Sequence, residues 1–468
     1  MGKQQVWESL TSKQDLLFKT ARDIWEHPEL SLSEKYASQL QAGVLREAGM
    51  RVTYGLKDLP TALIAEYGTG HPVVGILGEY DALSGLSQDS KPEREPLEEG
   101  GNGHGCGHNL LGTAGMGAAI AIKEAIDRGE LKGTVRYYGC PAEEELLGKI
   151  YMLRNGDFDD CDAVLYWHPS SNNAPWRNRC LAATSVVFKF KGTPAHAPQA
   201  HLGRSALDAV ELMDVGANYL REHLPKEILM HYSVLGNGIA PNTVPDKCQV
   251  WYMMRAPKHS MLQPAFERLK EVARGAAIMT GTELEEVEVV GGGNECICNH
   301  TLGDLLYKNM NECGGPQWTK EDYEFGRQIN ALFGPGELEA GAKAFQIPDE
   351  DVHSILQNRV LSEIGDRSAS MPASGDFDMS WKMPFGAFNC ATWPIGVFTH
   401  TWQATASAGS HIGMNGMMFA AKTLAGAVYD YMSDETLREN VKKEFAEQTK
   451  DLVYEFNISD TAVPHRVF

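Results

Sequence analysis

The chain has 468 residues, 43% of them hydrophobic, and sets 42 Lys and Arg against 62 Asp and Glu for a formal charge of −20. At about 150 residues per domain this length leaves room for two or three domains and a large core; 47 Gly and 22 Pro are ordinary, which excludes collagen-like and low-complexity classes. So acidic a surface repels nucleic acid and anionic lipid, so neither is expected as a partner, and an anionic substrate has to be drawn in by a local cation.

No run approaches the ~18 consecutive apolar residues that span a bilayer. The opening MGKQQVWESLTSKQDLL lacks a signal peptide's apolar stretch, and nine cysteines are an odd number, so a cytoplasmic, reduced protein is expected.

The first legible helix starts where Ser12 can cap it with Asp15 three residues on, and Leu17, Ala21, Ile24 and Trp25 fall on one face. It is expected to end near His27-Pro28. Segments 62–67 and 73–77 read as strands, the second apolar enough to be covered on both faces. The polar stretch 87–103 is expected to be a surface loop. From 110 to 126 the pattern is helical and rich in small residues, among them Ala114, Gly115, Ala118 and Ala119, so the helix can press close against a sheet. Segments 134–140 and 163–167 are further short strands. Strands alternating with helices argue an α/β domain with a mainly parallel sheet and helices on both faces.

Between 184 and 291 the rhythm changes. Segment 185–191 alternates, with Val186, Phe188 and Phe190 on one face; 204–220 is helical, 229–235 and 249–256 are strands, 266–278 is helical and 284–290 alternates again. The order β-α-β-β-α-β is the ferredoxin-like α+β unit. The expected boundaries are 184–293 for this unit, inserted into an α/β domain made of 1–183 and 294–468. Beyond it, Thr319 can cap a helix running toward 333, 335–373 is poorly periodic and reads as a loop-rich insertion, 385–392 is a strand and 413–432 a last helix.

Four clusters carry residues suited to chemistry. Gly101-Asn-Gly-His104-Gly-Cys106-Gly-His108-Asn109 puts two His and a Cys on a glycine-rich turn before a helix. Glycines let such a turn fold tightly enough for Cys106 and His108 to face one point, and thiolate and imidazole suit a zinc-like ion. Taken alone, the cluster is equally a turn with solvated imidazoles. Cys140-Pro-Ala-Glu143-Glu144-Glu145 follows a strand directly. Three adjacent carboxylates repel one another unless they hold cations, although a helix start favours Glu for its own reasons. Tyr166-Trp167-His168-Pro169 and Phe398-Thr399-His400-Thr401-Trp402 each offer a single His. All four fall at ends of elements of one α/β domain, where ligands bind beyond the C-terminal ends of the strands.

The ordered set Gly78-Glu-Tyr-Asp81-Ala-Leu, His104-Gly-Cys106-Gly-His108-Asn109, Pro141-Ala-Glu143-Glu144, Trp167-His168-Pro169 and His400-Thr-Trp402 resembles the amidohydrolase branch of the dinuclear metallopeptidases. That group holds aminoacylases, indole-acetyl-amino-acid hydrolases and glutamate carboxypeptidases, and its p-aminobenzoyl-glutamate hydrolase type is the most similar. Trp25-Glu-His27-Pro-Glu-Leu-Ser and Asp376-Phe-Asp378-Met-Ser-Trp381 resemble it too. The resemblance implies a catalytic domain with an inserted lid through which the chain forms a homodimer. It implies Cys106, His108, Glu144, His168 and His400 as ligands of two divalent ions, zinc or manganese, with Cys106 bridging. Glu143 is implied as general base and Asp81 as the carboxylate supporting the site from behind. From the lid it implies His196, in Gly192-Thr-Pro-Ala-His196-Ala-Pro, as reaching a partner's active site, and Asn242, in Ala240-Pro-Asn242-Thr-Val-Pro, as binding substrate. Arg255, closing a lid strand, can clamp a carboxylate in two-pronged fashion. Where related sequences follow the two Glu with glycines, this chain has Glu145-Leu146-Leu147, a bulkier wall beside the metals.

The expected activity is hydrolysis of the amide of an N-acyl amino acid or a p-aminobenzoyl-glutamate-like small molecule by metal-activated water. Two alternatives stand beside it: a dipeptidase of the same fold, and an inactive metal-binding or assembly protein. Trp393, Phe398 and Trp402 near His400 favour an apolar or aromatic acyl part.

Overall fold

The apolar run after Pro72 forms β3 (Val73–Glu79), buried at every residue as a strand covered on both faces must be. Around it stand β1 (Arg51–Leu56), β2 (Leu59–Thr69), β4 (Gly133–Cys140), β5 (Ala163–Ser170), the two-residue β6 (Ala174–Pro175) and β11 (Phe385–Ala391), in the order β1-β2-β4-β3-β5-β11-β6. The inner strands β4, β3, β5 and β11 run parallel, and β1, β2 and β6 add antiparallel edges. In this computed structural model of the protein, the residues described are 2–177, 180–235, 240–362, 375–456, 458–459 and 461–467.

The small residues read between 110 and 126 do what their size allows. They lie on the helix His108–Asp127, which packs against β3 and against the helix His411–Ser433. A β-carbon on Gly112 would collide with the carbonyl oxygen of Glu79, so the helix sits on the sheet at backbone contact.

The second sheet contains β7 (Ala182–Lys191), β8 (Leu229–Leu235), β9 (Lys247–Ala256) and β10 (Glu283–Gly293), antiparallel throughout in the order β10-β7-β9-β8. The helices Ala206–Arg221 and His259–Thr280 cover it, and Val186, Phe188 and Phe190 enter their shared core, as the period-two pattern of 185–191 requires. This is the β-α-β-β-α-β unit, beside a mixed α/β domain.

Several local expectations need correction. Ser12 does not cap the first legible helix: it ends an earlier one, Lys3–Ser12, and its hydroxyl bonds back to the Ser9 carbonyl. The next helix, Gln14–Glu26, buries Leu17, Ala21, Ile24 and Trp25 as read. Thr319 does cap Lys320–Asn330, in a reciprocal pair with Asp322. The stretch 335–373 is not only loop, because Glu337–Ala344 is a helix; residues 363–373 lie outside the described residues. Among the described residues no helix is long and apolar enough to cross a membrane.

Candidate active site at the ends of the parallel strands

Each of the four clusters follows, or ends, one of the four parallel strands. Cys106 ends the long connection after β3 and His108 opens the helix that follows it, Glu143 and Glu144 lie just beyond β4, His168 near the end of β5, and His400 in the loop after β11. Local backbone geometry serves the site. Gly107, between Cys106 and His108, has φ 75, and a side chain there would also press on Pro169 and Trp393. Ala142, Leu146 and His400 hold φ of 54, 57 and 60 without being glycine, a strained state that the surrounding fold has to enforce.

Cys106 is the meeting point. Its Sγ lies 3.4 Å from His168 Nε2. Three groups of donor atoms each fall within 4.8 Å of one another: Cys106 with His108 and His168, Cys106 with Glu144 and His400, and Glu79 with His108 and Glu143. His400 Nε2 stands 3.2 Å from Glu144 Oε2. Asp81 backs the arrangement: its Oδ1 is 2.9 Å from His108 Nδ1, and its Oδ2 accepts from the Glu144 backbone N–H at 3.0 Å and from the Ser31 hydroxyl at 2.9 Å. Holding Nδ1 turns Nε2 of His108 toward the cluster.

His108 Nε2 and Glu144 Oε1 are buried with no hydrogen bond of proper geometry. Buried polar atoms without partners are rare and call for an explanation; a divalent ion held by thiolate, imidazole and carboxylate supplies one. Burial pushes the Cys106 thiol up, but the His108 and His168 imidazoles outweigh it and hold the thiol well below its ordinary range. Burial, and then Glu79 across the site, push the Glu143 carboxyl well above its ordinary range. His104, the other His of the turn, stays out of the site. Its Nε2 lies 3.1 Å from the Ile24 carbonyl, and burial brings it down to about 3, a neutral core histidine.

Sequence reading missed the layer beneath. Glu79 Oε2 stands 3.3 Å from His108 Nε2 and accepts from the Tyr166 hydroxyl at 3.1 Å. Lys149, fully buried, bridges Glu79 Oε1 at 2.8 Å and Asp376 Oδ1 at 2.5 Å. Glu34 accepts from the Ala142 N–H at 2.8 Å and from the Thr61 hydroxyl at 2.9 Å; burial and Asp81 raise it to about 8. The only sequence signal was the inclusion of Glu79 and Asp376 in the quoted motifs.

A cavity of about 420 Å³ opens over the cluster, and Cys106, Glu143, Glu144, His168 and His400 line it. Leu146 forms part of its wall, as the Glu145-Leu146-Leu147 run suggested. Arg255 reaches it from β9, beside Met253 and Leu229 of the same sheet. His196 and Asn242 do not line it. They are exposed on the second sheet's outer loops, where the Ala197 N–H donates to the Asn242 carbonyl at 2.8 Å.

Comparison with known proteins agrees with this reading. The signature of peptidase family M20/M25/M40 matches residues 75–392, from within β3 to just past β11. The chain is 36% identical over 458 residues to one of the p-aminobenzoyl-glutamate hydrolase subunits of Escherichia coli K12, covering 95% of each chain. It is 29% identical to the Xaa-Arg dipeptidase of Homo sapiens over 73% of this chain and 77% of that one. In fold it is similar to the crystal structure of an aminobenzoyl-glutamate utilization protein from Klebsiella pneumoniae, with a TM-score of 0.59 at 16% identity over 92% of this chain and 99% of that one. Similarity over 95% of the chain and a family match over residues 75–392 agree: the chain belongs to peptidase family M20/M25/M40 and is a metal-dependent amide hydrolase.

Proposed function

We propose that the chain hydrolyses the amide bond of an N-acyl amino acid or an aminobenzoyl-glutamate-like small molecule, with Glu143 as general base. The observation that carries this is the double membership of Cys106 in two donor groups at the wall of one cavity, with Glu143 on the same wall. Cys106, His108, Glu144, His168 and His400 would hold two divalent ions, zinc or manganese, and Cys106, common to both donor groups, would be the ligand shared between them. Such ions lower the pKa of a water and polarise a carbonyl. Glu143 takes the water's proton and passes it to the leaving amine. Asp81 keeps His108 in the orientation that leaves Nε2 for the cluster. Arg255 pairs with the substrate's carboxylate, giving an acidic chain the local cation that such a substrate needs. A panel of N-acyl amino acids, p-aminobenzoyl-glutamate and dipeptides, run with and without chelator, tests the reading. Chelator-sensitive cleavage of an acylated substrate is expected, and its absence across the panel would sink it.

Cys106 has its own test. A thiolate shared by two cations is deprotonated and shielded from alkylation. Chelation is expected to open Cys106 to iodoacetamide, and Cys106→Ser to lower metal content, both read by mass spectrometry. Equal labelling with and without chelator would remove the bridging role.

In this reading 184–293 is a lid and dimerisation domain set into a catalytic domain of 1–183 and 294–468, in a cytoplasmic homodimer. His196 lies away from its own cavity and serves the partner's, donating to the carbonyl oxygen in trans, and Asn242 binds the substrate. Mixing His196→Ala with Glu143→Gln tests this. Each variant alone is expected to lose ~100- to 1,000-fold or more, and in a mixed dimer one site regains both groups, so activity partly returns. Heterodimers that form, shown by two tags, yet stay inactive would return His196 to a same-chain or structural role.

A further inference from the structure

The insertion that follows residue 335 is tied to the catalytic loop. Ala342 and Ile347 share a core cluster with Ile395, and a β-carbon on Gly341 would collide with the backbone of Gly396. The Phe345 ring lies 5.6 Å from that of Phe398, two residues before His400. The Phe345 carbonyl accepts a 2.6 Å hydrogen bond from Asn172 Nδ2, just beyond β5, whose end carries His168. The insertion is thus anchored to the two segments that deliver His168 and His400. At that anchor Ala344, Phe345 and Gln346 enter the cavity wall.

The φ of 53 at Gln346 belongs to the helix C-cap, where the Gln346 and Ile347 N–H groups donate to the Lys343 and Ala342 carbonyls. What singles Gln346 out is its Oε1, enclosed with no hydrogen-bond partner, and a buried polar atom left unpaired calls for an explanation that a bound ligand supplies. The terminal amide of Gln turns about a soft bond, and Gln346 lines the cavity, so turning it over presents the oxygen to a bound molecule. Part of the remaining wall is aromatic: Tyr166, Trp176 and Phe377 line the cavity with Phe345, alongside polar groups such as Ser170, Asn172 and Thr399. Trp176 and Phe377 already meet edge to face at 5.6 Å, the kind of surface that a planar ring joins with a gain beyond its area.

Building on the amide-hydrolase reading, we infer that Phe345 and Gln346 form the wall for the acyl half of the substrate, selecting an aromatic acyl group that carries a hydrogen-bond donor. Phe345 packs on the ring, and the Gln346 amide oxygen accepts from the donor. Arg255, on the lid side of the same cavity, takes the carboxylate at the other end of the molecule.

The experiment compares p-aminobenzoyl-glutamate, benzoyl-glutamate and acetyl-glutamate. Phe345→Ala is expected to raise KM up to about 10-fold for the two aryl substrates, and by a clearly smaller factor for acetyl-glutamate. Gln346→Met is expected to raise KM about 5- to 10-fold for p-aminobenzoyl-glutamate alone, abolishing its advantage over benzoyl-glutamate. The same affinities are read without turnover, by tryptophan fluorescence in a Glu143→Gln background, so binding is scored even if the wild type cleaves nothing. Graded binding without cleavage would overturn the hydrolase reading and support the wall. Equal weakening of all three ligands by Phe345→Ala, or no change with either variant, would overturn the wall and leave the hydrolase reading standing.

Discussion

Glu143→Gln is expected to keep the fold and the bound metal while losing roughly 100-fold or more of kcat, with KM little changed. Glu143 is 9% exposed, lines the cavity, and has Oε2 3.8 Å from His108 Nε2, near the cluster without a hydrogen bond to it. Glutamine preserves its shape and removes only the capacity to take a proton. Burial and Glu79 raise the Glu143 carboxyl, which moves a carboxylate toward the pKa that suits a base working near neutrality. Glu145 is the control. Burial raises it to about 7, but it stands 3.7 Å from Arg466 and does not line the cavity. Glu145→Gln is therefore expected within a few-fold of wild type in steady-state kinetics. The reverse pattern, with Glu143→Gln near wild type and Glu145→Gln dead, would move the base two residues along the chain, to Glu145.

Why Glu143 was legible and its support was not follows from how each is encoded. The four clusters mark the ends of four strands, and a strand that is apolar throughout or alternates with period two announces its own end. Thr319 and Asp322, three residues apart, likewise declare a helix start that the structure keeps. By contrast, Lys149 meets Glu79 across 70 residues, and its backbone N–H meets Asp376 across 227. No local period signals a contact of that kind; only the topology, which sets β3, β4 and the segment before β11 together, creates it. His104 and His108 look alike in the motif, and the fold separates them by giving one the Ile24 carbonyl and the other Asp81. The helix Lys3–Ser12 went unread because only Val6 and Leu10 of its residues are buried, too few to show a stripe. Phe345 and Gln346 went unread because a short helix in an aperiodic stretch says nothing of which wall it will meet.

Lys149→Met is expected to destabilise the protein by about 3–5 kcal/mol, the usual result of removing one partner from a buried charge pair. Lys149, Glu79 and Asp376 are all fully buried, so no water is at hand to solvate the two carboxylates once the ammonium is gone. Methionine fills much of the same volume and keeps a contact with the Phe377 ring, over which the ammonium now sits at 5.2 Å, so the loss reads as charge rather than cavity. Even with Lys149 present, burial holds the Asp376 carboxyl up at about 6; without it the folded-state value rises further above the unfolded one. A group raised in this way stabilises the fold when protonated and ceases to as pH rises through its folded value. The deficit of the variant relative to wild type is therefore expected to be largest near pH 8 and to shrink as pH falls through 6, measured by denaturant titration of both proteins at each pH. Adding Asp376→Asn to Lys149→Met removes one of the stranded charges and should recover part of the loss at pH 8. A deficit below about 1 kcal/mol, or one that does not change between pH 8 and pH 5.5, would mean that the buried ammonium is not what allows two carboxylates to lie beneath Glu143.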